Sequence, residues 1–173
     1  AAMRGLTVLL IDKGDIGGAT TIASTRLIHG GLRYLEHFEF GLVRESLRER
    51  EILLNIAPHL VHVLPLTIPI YKQNKRGRIT IRAGMIAYDL LSWKKALPRH
   101  QMMPRAETLR QLHGLNPQGL LGSARYFDAR VGFAERLELE NVLAARALRA
   151  DVLTHTRVSN IVAENETASG IEF

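Results

Sequence analysis

The sequence has no cysteine, and this absence excludes disulfide bonds, a thiolate nucleophile and sulfur ligands for a metal. Aromatic residues make up only 6% of the chain and no groove-reading motif is present, so we expect no nucleic-acid partner. The apolar runs are far shorter than the ~20 residues of a membrane-spanning helix, and the N-terminus lacks a secretory signal pattern. Neither a Gly-x-Ser-x-Gly element nor a phosphate-binding P-loop occurs, which leaves hydrolase and kinase activities without support.

Two histidines, His59 and His62, lie close enough in the sequence to raise the question of a metal site. No acidic residue is near them in the sequence, and prolines lie on either side of the pair. Because metal sites need three or more suitable ligands, we expect no metal in this chain.

The composition that remains is that of a globular protein. The 173 residues are 46% apolar and 23% charged and suit one domain, or one domain with a small second lobe. The net charge is +6, which favours a polyanionic partner. Residues 72–110 hold 10 basic and 2 acidic side chains, whereas the rest of the chain holds 13 basic and 15 acidic. The basic character therefore belongs to the middle of the chain.

The hydropathy pattern predicts an α/β chain. Residues 6–11 form a continuous apolar run, typical of a parallel strand buried on both faces, and Asp12 ends it. Residues 1–5 read as the last turn of a helix with Gly5 as its stop signal, so we expect a strand and a helix start before Ala1. Helices and further strands are predicted by periodicity, the helices over 38–57, 79–95, 105–113 and 134–149, the strands over 124–127, 152–155 and 157–163.

A loop rich in glycine and hydroxyl side chains, residues 13–31, follows the first strand. Glycine permits close backbone approach, so the loop suits a bound pyrophosphate or flat ring, or else it is a polar surface loop. The apolar Leu27-Ile28 pair beside the paired glycines favours the ligand. At the strand end, Asp12 is placed to hold ribose hydroxyls, as acidic residues do in dinucleotide-binding sheets. The alternative is an aspartate that caps a turn before Gly14.

One long motif carries a family resemblance. The FAD-dependent, quinone-linked glycerol-3-phosphate dehydrogenases resemble this chain in the run Ser24-Thr25-Arg26-Leu27-Ile28-His29-Gly30-Gly31-Leu32-Arg33-Tyr34-Leu35-Glu36. The similarity continues through Phe38-Glu39-Phe40, Leu42-Val43, Glu49-Arg50-Glu51, Ala57-Pro58-His59-Leu60, Tyr88-Asp89-Leu90 and Phe127-Asp128-Ala129-Arg130. The resemblance implies an α/β fold with a Rossmann-like FAD-binding sheet of the D-amino-acid-oxidase-like group, interrupted by an α+β cap and incomplete in this chain. It assigns residues 1–57 and 127–173 to the FAD-binding part and residues 58–126 to the cap, which faces substrate and membrane.

By this resemblance the cofactor is FAD. The implied FAD-binding residues are Asp12, Thr20, Thr21, Ser24, Thr25, Leu27, His29, Gly30, Gly31 and, through the backbone of a strand near the adenine, Val158. Arg33 and Tyr34 are implied on the substrate side, with a pairing of Arg33 to Glu36 or Glu39 as the alternative. For His29 we expect a flavin contact, and a structural histidine or a catalytic base are the alternatives. The catalytic base and the main phosphate ligands are not named by these residues.

The implied reaction oxidises sn-glycerol 3-phosphate to dihydroxyacetone phosphate by hydride transfer to FAD, with electrons passed to quinone. Oxygen-using glycerol-3-phosphate oxidases share the motif, so the electron acceptor stays open. A non-catalytic membrane-surface module is the alternative of another class. The family's Gly-x-Gly-x-x-Gly loop would precede Ala1, so we expect these residues alone to be inactive. A cytoplasmic location, peripheral to the inner face of the membrane, is implied, and a homodimer is left open.

Two predictions come from helical periodicity. Arg50 falls in the middle of the apolar face of the helix over 38–57, so we expect it to pair with an acid or with backbone carbonyls under the loop; the alternative is a side chain that snorkels to the edge of the face. Residues 79–95, ending in Trp93-Lys94-Lys95, are apolar all around and basic at both flanks. They predict an interfacial anchor on anionic lipid or a core helix of the cap.

Overall fold

The computed structural model describes residues 1–92 and 97–173 and shows a mixed α/β fold. Trp93, Lys94 and Lys95, which the sequence places at the end of a basic-flanked helix, lie outside the described residues. Besides 3-10 helices at Ala2–Arg4 and Leu32–His37, the elements are β1 (Leu9–Ile11), β2 (Leu27–Ile28), α1 (Phe40–Ile56), β3 (Val61–Tyr71), α2 (Arg78–Leu91), β4 (Gln101–Pro104), α3 (Arg105–Gln111), β5 (Leu120–Val131), α4 (Ala134–Ala147), β6 (Asp151–Leu153), β7 (Asn160–Glu164) and β8 (Thr167–Glu172).

The chain divides into two compact units. Unit 1 joins Ala1–Arg26 to Phe133–Phe173, and unit 2 is Leu27–Gly132. The boundaries that the sequence suggests, after residues 57 and 126, both fall inside unit 2. The difference arises because α1 packs against β3 and β5 and therefore belongs to the same unit as that sheet.

Unit 1 contains a parallel strand pair, a long helix and a hairpin. β1 runs parallel to β6, with Leu9 opposite Asp151, and β7 pairs antiparallel with β8. The predicted parallel strand is confirmed over Leu9–Ile11, but its burial on both faces is not, since Leu9 and Leu10 are 46% and 44% exposed. A parallel strand is buried on both faces when helices cover them, and among the described residues β1 packs chiefly against β6.

Unit 2 is built on a four-stranded antiparallel sheet in the order β2-β5-β3, with β4 also paired to β5. β5 is the long central strand, and β3 lies along it from Val61 to Tyr71. Pro65 and Pro69 fit within β3 because a strand at the edge of a sheet needs no donors on its open side. Two apolar clusters join the sheet to α1 and α2, one around Val43, Leu47 and Tyr88, the other around Ile70, Met85 and Ala124.

Helix α2 is apolar on both a buried and an exposed side. Met85 and Tyr88 are buried in the core of unit 2, whereas Ile79 and Leu90 are 86% and 58% exposed. The helix therefore packs in the core on one side and presents apolar side chains to solvent on the other. Within the part of the chain that the structure describes, no helix is both long and apolar enough to cross a membrane.

Candidate functional site

The carboxyl ends of β1 and β6 are the first candidate region. Asp12 directly follows β1, and its Oδ1 accepts a hydrogen bond from the Gly14 N–H at 2.8 Å. The turn-capping role is therefore present. Asp12 is exposed, so its second carboxylate oxygen remains accessible to a ligand. Ligands of open α/β sheets bind at this edge of the strands.

Val158 requires a correction. The sequence predicts it on a strand, whereas it lies in the connection between β6 and β7. β7 pairs with β8, and their ladder begins with Asn160 opposite Glu172, so residues 157–159 precede the strand. The connection nevertheless runs beside the end of β1, since the Thr156 N–H donates to the Asp12 carbonyl at 2.9 Å. Asp12 and the segment that leads to Val158 are thus neighbours at one edge of the parallel pair.

The hydroxyl-rich segment of unit 1 lies against the first turns of α4. Thr21 Oγ1 donates to Glu138 Oε2 at 2.7 Å, and Ser24 Oγ donates to the Thr21 carbonyl at 3.0 Å. Two of the four candidate hydroxyls are therefore engaged within unit 1. The other two belong to exposed residues, Thr20 and Thr25.

The paired glycines of unit 2 have no room for a side chain. A Cβ on Gly30 would lie 2.5 Å from Leu47 Cδ2 and 2.7 Å from the Tyr88 hydroxyl oxygen. Gly31 has a φ of +66°, and a Cβ there would collide with the Tyr34 ring; glycine adopts such a φ without a steric cost. The fold of unit 2 therefore requires both glycines, whether or not a ligand approaches them.

Both amides of this pair are satisfied within unit 2. The Gly30 N–H donates to the Tyr88 hydroxyl at 2.9 Å, and the Gly31 N–H donates to His29 Nδ1 at 2.9 Å. Because Nδ1 accepts, a neutral His29 carries its proton on Nε2. His29 is exposed, so it offers a hydrogen-bond donor to a ligand. With its proton on Nε2 and with Nδ1 already accepting from Gly31, the ring can donate a hydrogen bond to an oxygen or nitrogen of a cofactor. It has no free nitrogen with which to accept a proton from a substrate.

Leu27, Arg33 and Tyr34 are the other candidates in unit 2. Leu27 begins β2 and is 37% exposed. Arg33 and Tyr34 lie on the 3-10 helix that follows the glycines, and both are exposed. Glu36, one of the two acids given as alternative partners of Arg33, pairs with Arg76 instead. No ion pair engages Arg33 among the described residues, so its guanidinium is accessible to an anionic ligand.

The prediction that α1 carries a buried, paired arginine is confirmed. Arg50 is 1% exposed, and its Nη1 donates to Asp128 Oδ1 at 2.5 Å and to the Phe127 carbonyl at 3.3 Å. Asp128 Oδ1 also accepts from the Tyr88 hydroxyl at 2.8 Å. Burial, reinforced by the Asp128 carboxylate, raises the pKa of Tyr88 well above its ordinary value, so the hydroxyl stays protonated. Hydrogen bonds thus connect α1, β5 and α2 to Gly30.

Sequence reasoning did not assign a role to Tyr88 or Asp128. A signal for Asp128 was available, because a buried Arg50 needs an acidic partner and Asp128 is the one acid within residues 119–133. For Tyr88 the sequence offers no comparable signal. Its role depends on the approach of α2 to the glycine pair, and that is a tertiary contact.

An apolar groove of about 730 Å³ lies beside α2 in unit 2. The ion pair between Arg76 and Glu36, together with Lys75, also borders it. The groove therefore combines a hydrophobic wall with positive charge. The apolar wall is formed by Leu32, Leu35, Phe38, Phe40, Ile81 and Met85.

Comparison with known proteins gives a consistent assignment. A family model described as FAD dependent oxidoreductase matches residues 1–172. The chain is similar to a glycerol-3-phosphate dehydrogenase of Synechocystis sp., with 52% identity over 160 residues, which cover 92% of this chain and 29% of that protein. The chain spans about 29% of the length of the first curated relatives that it matches.

Solved structures share the fold. A glycerol-3-phosphate dehydrogenase from Bacillus halodurans, complexed with FAD, matches 99% of this chain and 26% of its own, with a TM-score of 0.68 and 22% identity. An L-proline dehydrogenase from P. horikoshii matches 98% of this chain and 43% of its own, with a TM-score of 0.72 and 15% identity. At these identities the likeness concerns the fold.

Proposed function

The chain belongs to the family of FAD-dependent oxidoreductases, and from that premise we propose that it is part of an enzyme that oxidises sn-glycerol 3-phosphate to dihydroxyacetone phosphate. The proposal includes a Rossmann-like FAD-binding sheet in unit 1 and a cap in unit 2. The name of the Synechocystis relative supports the substrate. The structural observation that carries the proposal is the pair of exposed polar side chains, His29 and Arg33, on either side of a glycine pair whose own amides are satisfied.

The donors and acceptors of unit 1 fit the chemistry of FAD. Asp12 keeps an accessible carboxylate oxygen for ribose hydroxyls, at the strand edge where such contacts form. The exposed hydroxyls of Thr20 and Thr25 suit phosphate oxygens, and the connection with Val158 offers backbone atoms to the adenine. Bound FAD supplies a two-electron acceptor for the hydride of the substrate alcohol.

The residues of unit 2 would bind the flavin ring and the substrate. Leu27 provides an apolar contact, and His29 donates a hydrogen bond from Nε2. The Arg33 guanidinium can give two parallel hydrogen bonds to a phosphate group, an arrangement that is strong and selective for geometry. Tyr34, next to it, would help to orient the substrate. Electrons then pass to quinone; hydrogen peroxide production by the whole protein would assign the acceptor to oxygen instead.

The Asp12 role can be tested by FAD affinity. In the whole protein containing this chain, Asp12→Asn is compared with Asp15→Asn, a matched control on an exposed aspartate in the same turn. Loss of a hydrogen bond to a charged group costs about 1.5–3 kcal/mol, so the FAD Kd should rise by about 10- to 100-fold for Asp12→Asn. Equal affinities in the two variants would contradict the assignment, and a wild-type protein that takes up no FAD would contradict the proposed function.

A membrane surface is the second partner we propose, and with it a cytoplasmic, peripheral location at the inner face. Exposed Ile79 and Leu90 on α2 and the neighbouring basic residues Lys75, Arg76 and Arg78 suit anionic lipid, because apolar insertion and charge attraction add together. The apolar groove beside α2 would lie at that surface, where a lipid-soluble quinone is available.

Liposome binding tests this second part. Each basic side chain near an anionic surface contributes about 1 kcal/mol, so neutralising Lys75, Arg76 and Arg78 to glutamine should weaken binding to phosphatidylserine vesicles by about 100-fold. The matched control neutralises three basic residues of unit 1, Arg136, Arg146 and Arg149. Equal weakening in both triple variants would show that net charge alone drives binding, and absence of binding at low salt would reject the membrane proposal.

A further inference from the structure

Arg50, Tyr88 and Asp128 form a buried polar network beneath the glycine pair. None of the three has a role in the chemistry proposed above. Arg50, Tyr88 and Asp128 are 1%, 2% and 1% exposed and come from α1, α2 and β5. A buried ion pair is often no more stabilising than apolar side chains of similar volume. Here Nε and Nη2 of Arg50 also lack a hydrogen-bond partner within the described residues. Stability alone therefore does not account for the network.

The hydrogen bonds of the network have a fixed direction. Tyr88 has one hydroxyl proton, which it donates to Asp128 Oδ1 at 2.8 Å, and Arg50 holds the same oxygen from α1 at 2.5 Å. The Tyr88 oxygen is then left to accept, and it does so from the Gly30 N–H at 2.9 Å. Because each member is tied to a different element, Gly30 is held in place relative to two helices and a strand.

The constraint continues from Gly30 to His29. The next amide, that of Gly31, donates to His29 Nδ1 at 2.9 Å, and this bond requires an unprotonated Nδ1. A shift of Gly30 would move the Gly31 amide and release the ring. Two hydrogen bonds, from Gly30 to Tyr88 and from Gly31 to His29, thus connect the network to the ring of an exposed histidine.

We infer that Tyr88 is a positioning residue: through the Gly30 amide it sets the tautomer and orientation of His29, so that His29 presents its Nε2–H to a hydrogen-bond acceptor of the bound cofactor. The inference rests on the proposed function for the identity of that acceptor. Its local part, the dependence of His29 on Tyr88, stands without FAD and can be measured separately.

Tyr126 supplies a matched control. Its ring packs edge-to-face against Tyr88, with 5.9 Å between the centroids, and it lies on β5 in the same cluster. Tyr88→Phe and Tyr126→Phe each remove one hydroxyl from this cluster, but only the first removes the acceptor of the Gly30 amide. A difference between the two variants therefore reports on the hydrogen bond rather than on packing.

Nuclear magnetic resonance of this chain tests the local part. In the wild type, the nitrogen shifts of His29 should identify the tautomer with the proton on Nε2, and the Gly30 amide should be protected from hydrogen exchange. In Tyr88→Phe, Gly30 exchange should accelerate by about tenfold, the equivalent of one lost hydrogen bond, and the two His29 tautomers should mix. Tyr126→Phe should leave both signals at their wild-type values.

FAD affinity of the whole protein tests the functional part, and there Tyr88→Phe should raise the FAD Kd by about tenfold while Tyr126→Phe does not. Unchanged Gly30 and His29 signals in a folded Tyr88→Phe variant would overturn the inference, as would changed signals with unchanged FAD affinity. If Tyr88→Phe does not fold, the wild-type protein decides. A His29 proton on Nδ1, or a Gly30 amide that exchanges freely, overturns the inference. A His29 proton on Nε2 together with a protected Gly30 amide supports it. A wild-type protein without FAD would refute the proposed function and leave the magnetic-resonance result to decide the local claim.

Discussion

Replacing Asp128 by asparagine removes the carboxylate that neutralises Arg50 and keeps the side-chain size. Both residues are almost fully buried, with side chains 1% and 2% exposed and 2.5 Å between Arg50 Nη1 and Asp128 Oδ1. Removal of one partner from a buried ion pair costs about 3–5 kcal/mol, because the other charge is left uncompensated. Set against a total unfolding free energy of about 5–15 kcal/mol, this change should remove a large part of the stability of the chain.

Urea denaturation of the chain measures this loss by linear extrapolation. The control is Glu140→Gln, which breaks the exposed Arg136–Glu140 pair of α4 and should cost at most about 0.5 kcal/mol. The double variant Arg50→Met with Asp128→Asn should be more stable than Asp128→Asn alone, since it removes the orphaned charge. A loss below about 1 kcal/mol for Asp128→Asn, or a double variant less stable than the single one, would show that the buried ion pair does not stabilise the fold in this way.

Two further predictions concern the same region. Gly30→Ala should destabilise the chain by about 1–3 kcal/mol through overpacking, whereas Gly41→Ala, whose Cβ meets nothing within 4 Å on α1, should stabilise it by about 0.5–1 kcal/mol; thermal melts check both, and a neutral Gly30→Ala would contradict the close contact. Because burial raises the pKa of Tyr88 in the folded chain, the unfolded chain loses this proton first, near pH 10, and the unfolding free energy of the wild type should fall above about pH 10 by up to about 1.4 kcal/mol per pH unit relative to Tyr88→Phe. Parallel pH profiles of the two proteins in urea would contradict this.

The sequence predicted well where one physical signal dominates. Helical periodicity located α1 and its buried Arg50, and the apolar run of residues 6–11 identified a parallel strand. Each of these features follows from local hydropathy and from the cost of burying an unpaired charge.

The sequence predicted less where tertiary contacts decide. The ladder of β7 with β8 begins at Asn160, so Val158 lies before the strand. The packing of α1 on β3 and β5 places α1 in the same compact unit as that sheet. The role of Tyr88 also depends on where α2 meets the glycine pair. The periodicity of hydropathy describes one helix or strand at a time, so it does not predict contacts between elements.

We propose that this chain helps to form a FAD site at which glycerol 3-phosphate is oxidised. The most direct measurement is the visible absorbance of the whole protein, loaded with FAD, during anaerobic addition of sn-glycerol 3-phosphate. We expect the flavin absorbance to bleach on addition of this substrate, and we expect Arg33→Gln to raise the substrate concentration needed for bleaching. A colourless protein that takes up no FAD, or a flavin spectrum unchanged by glycerol 3-phosphate, would contradict this proposal.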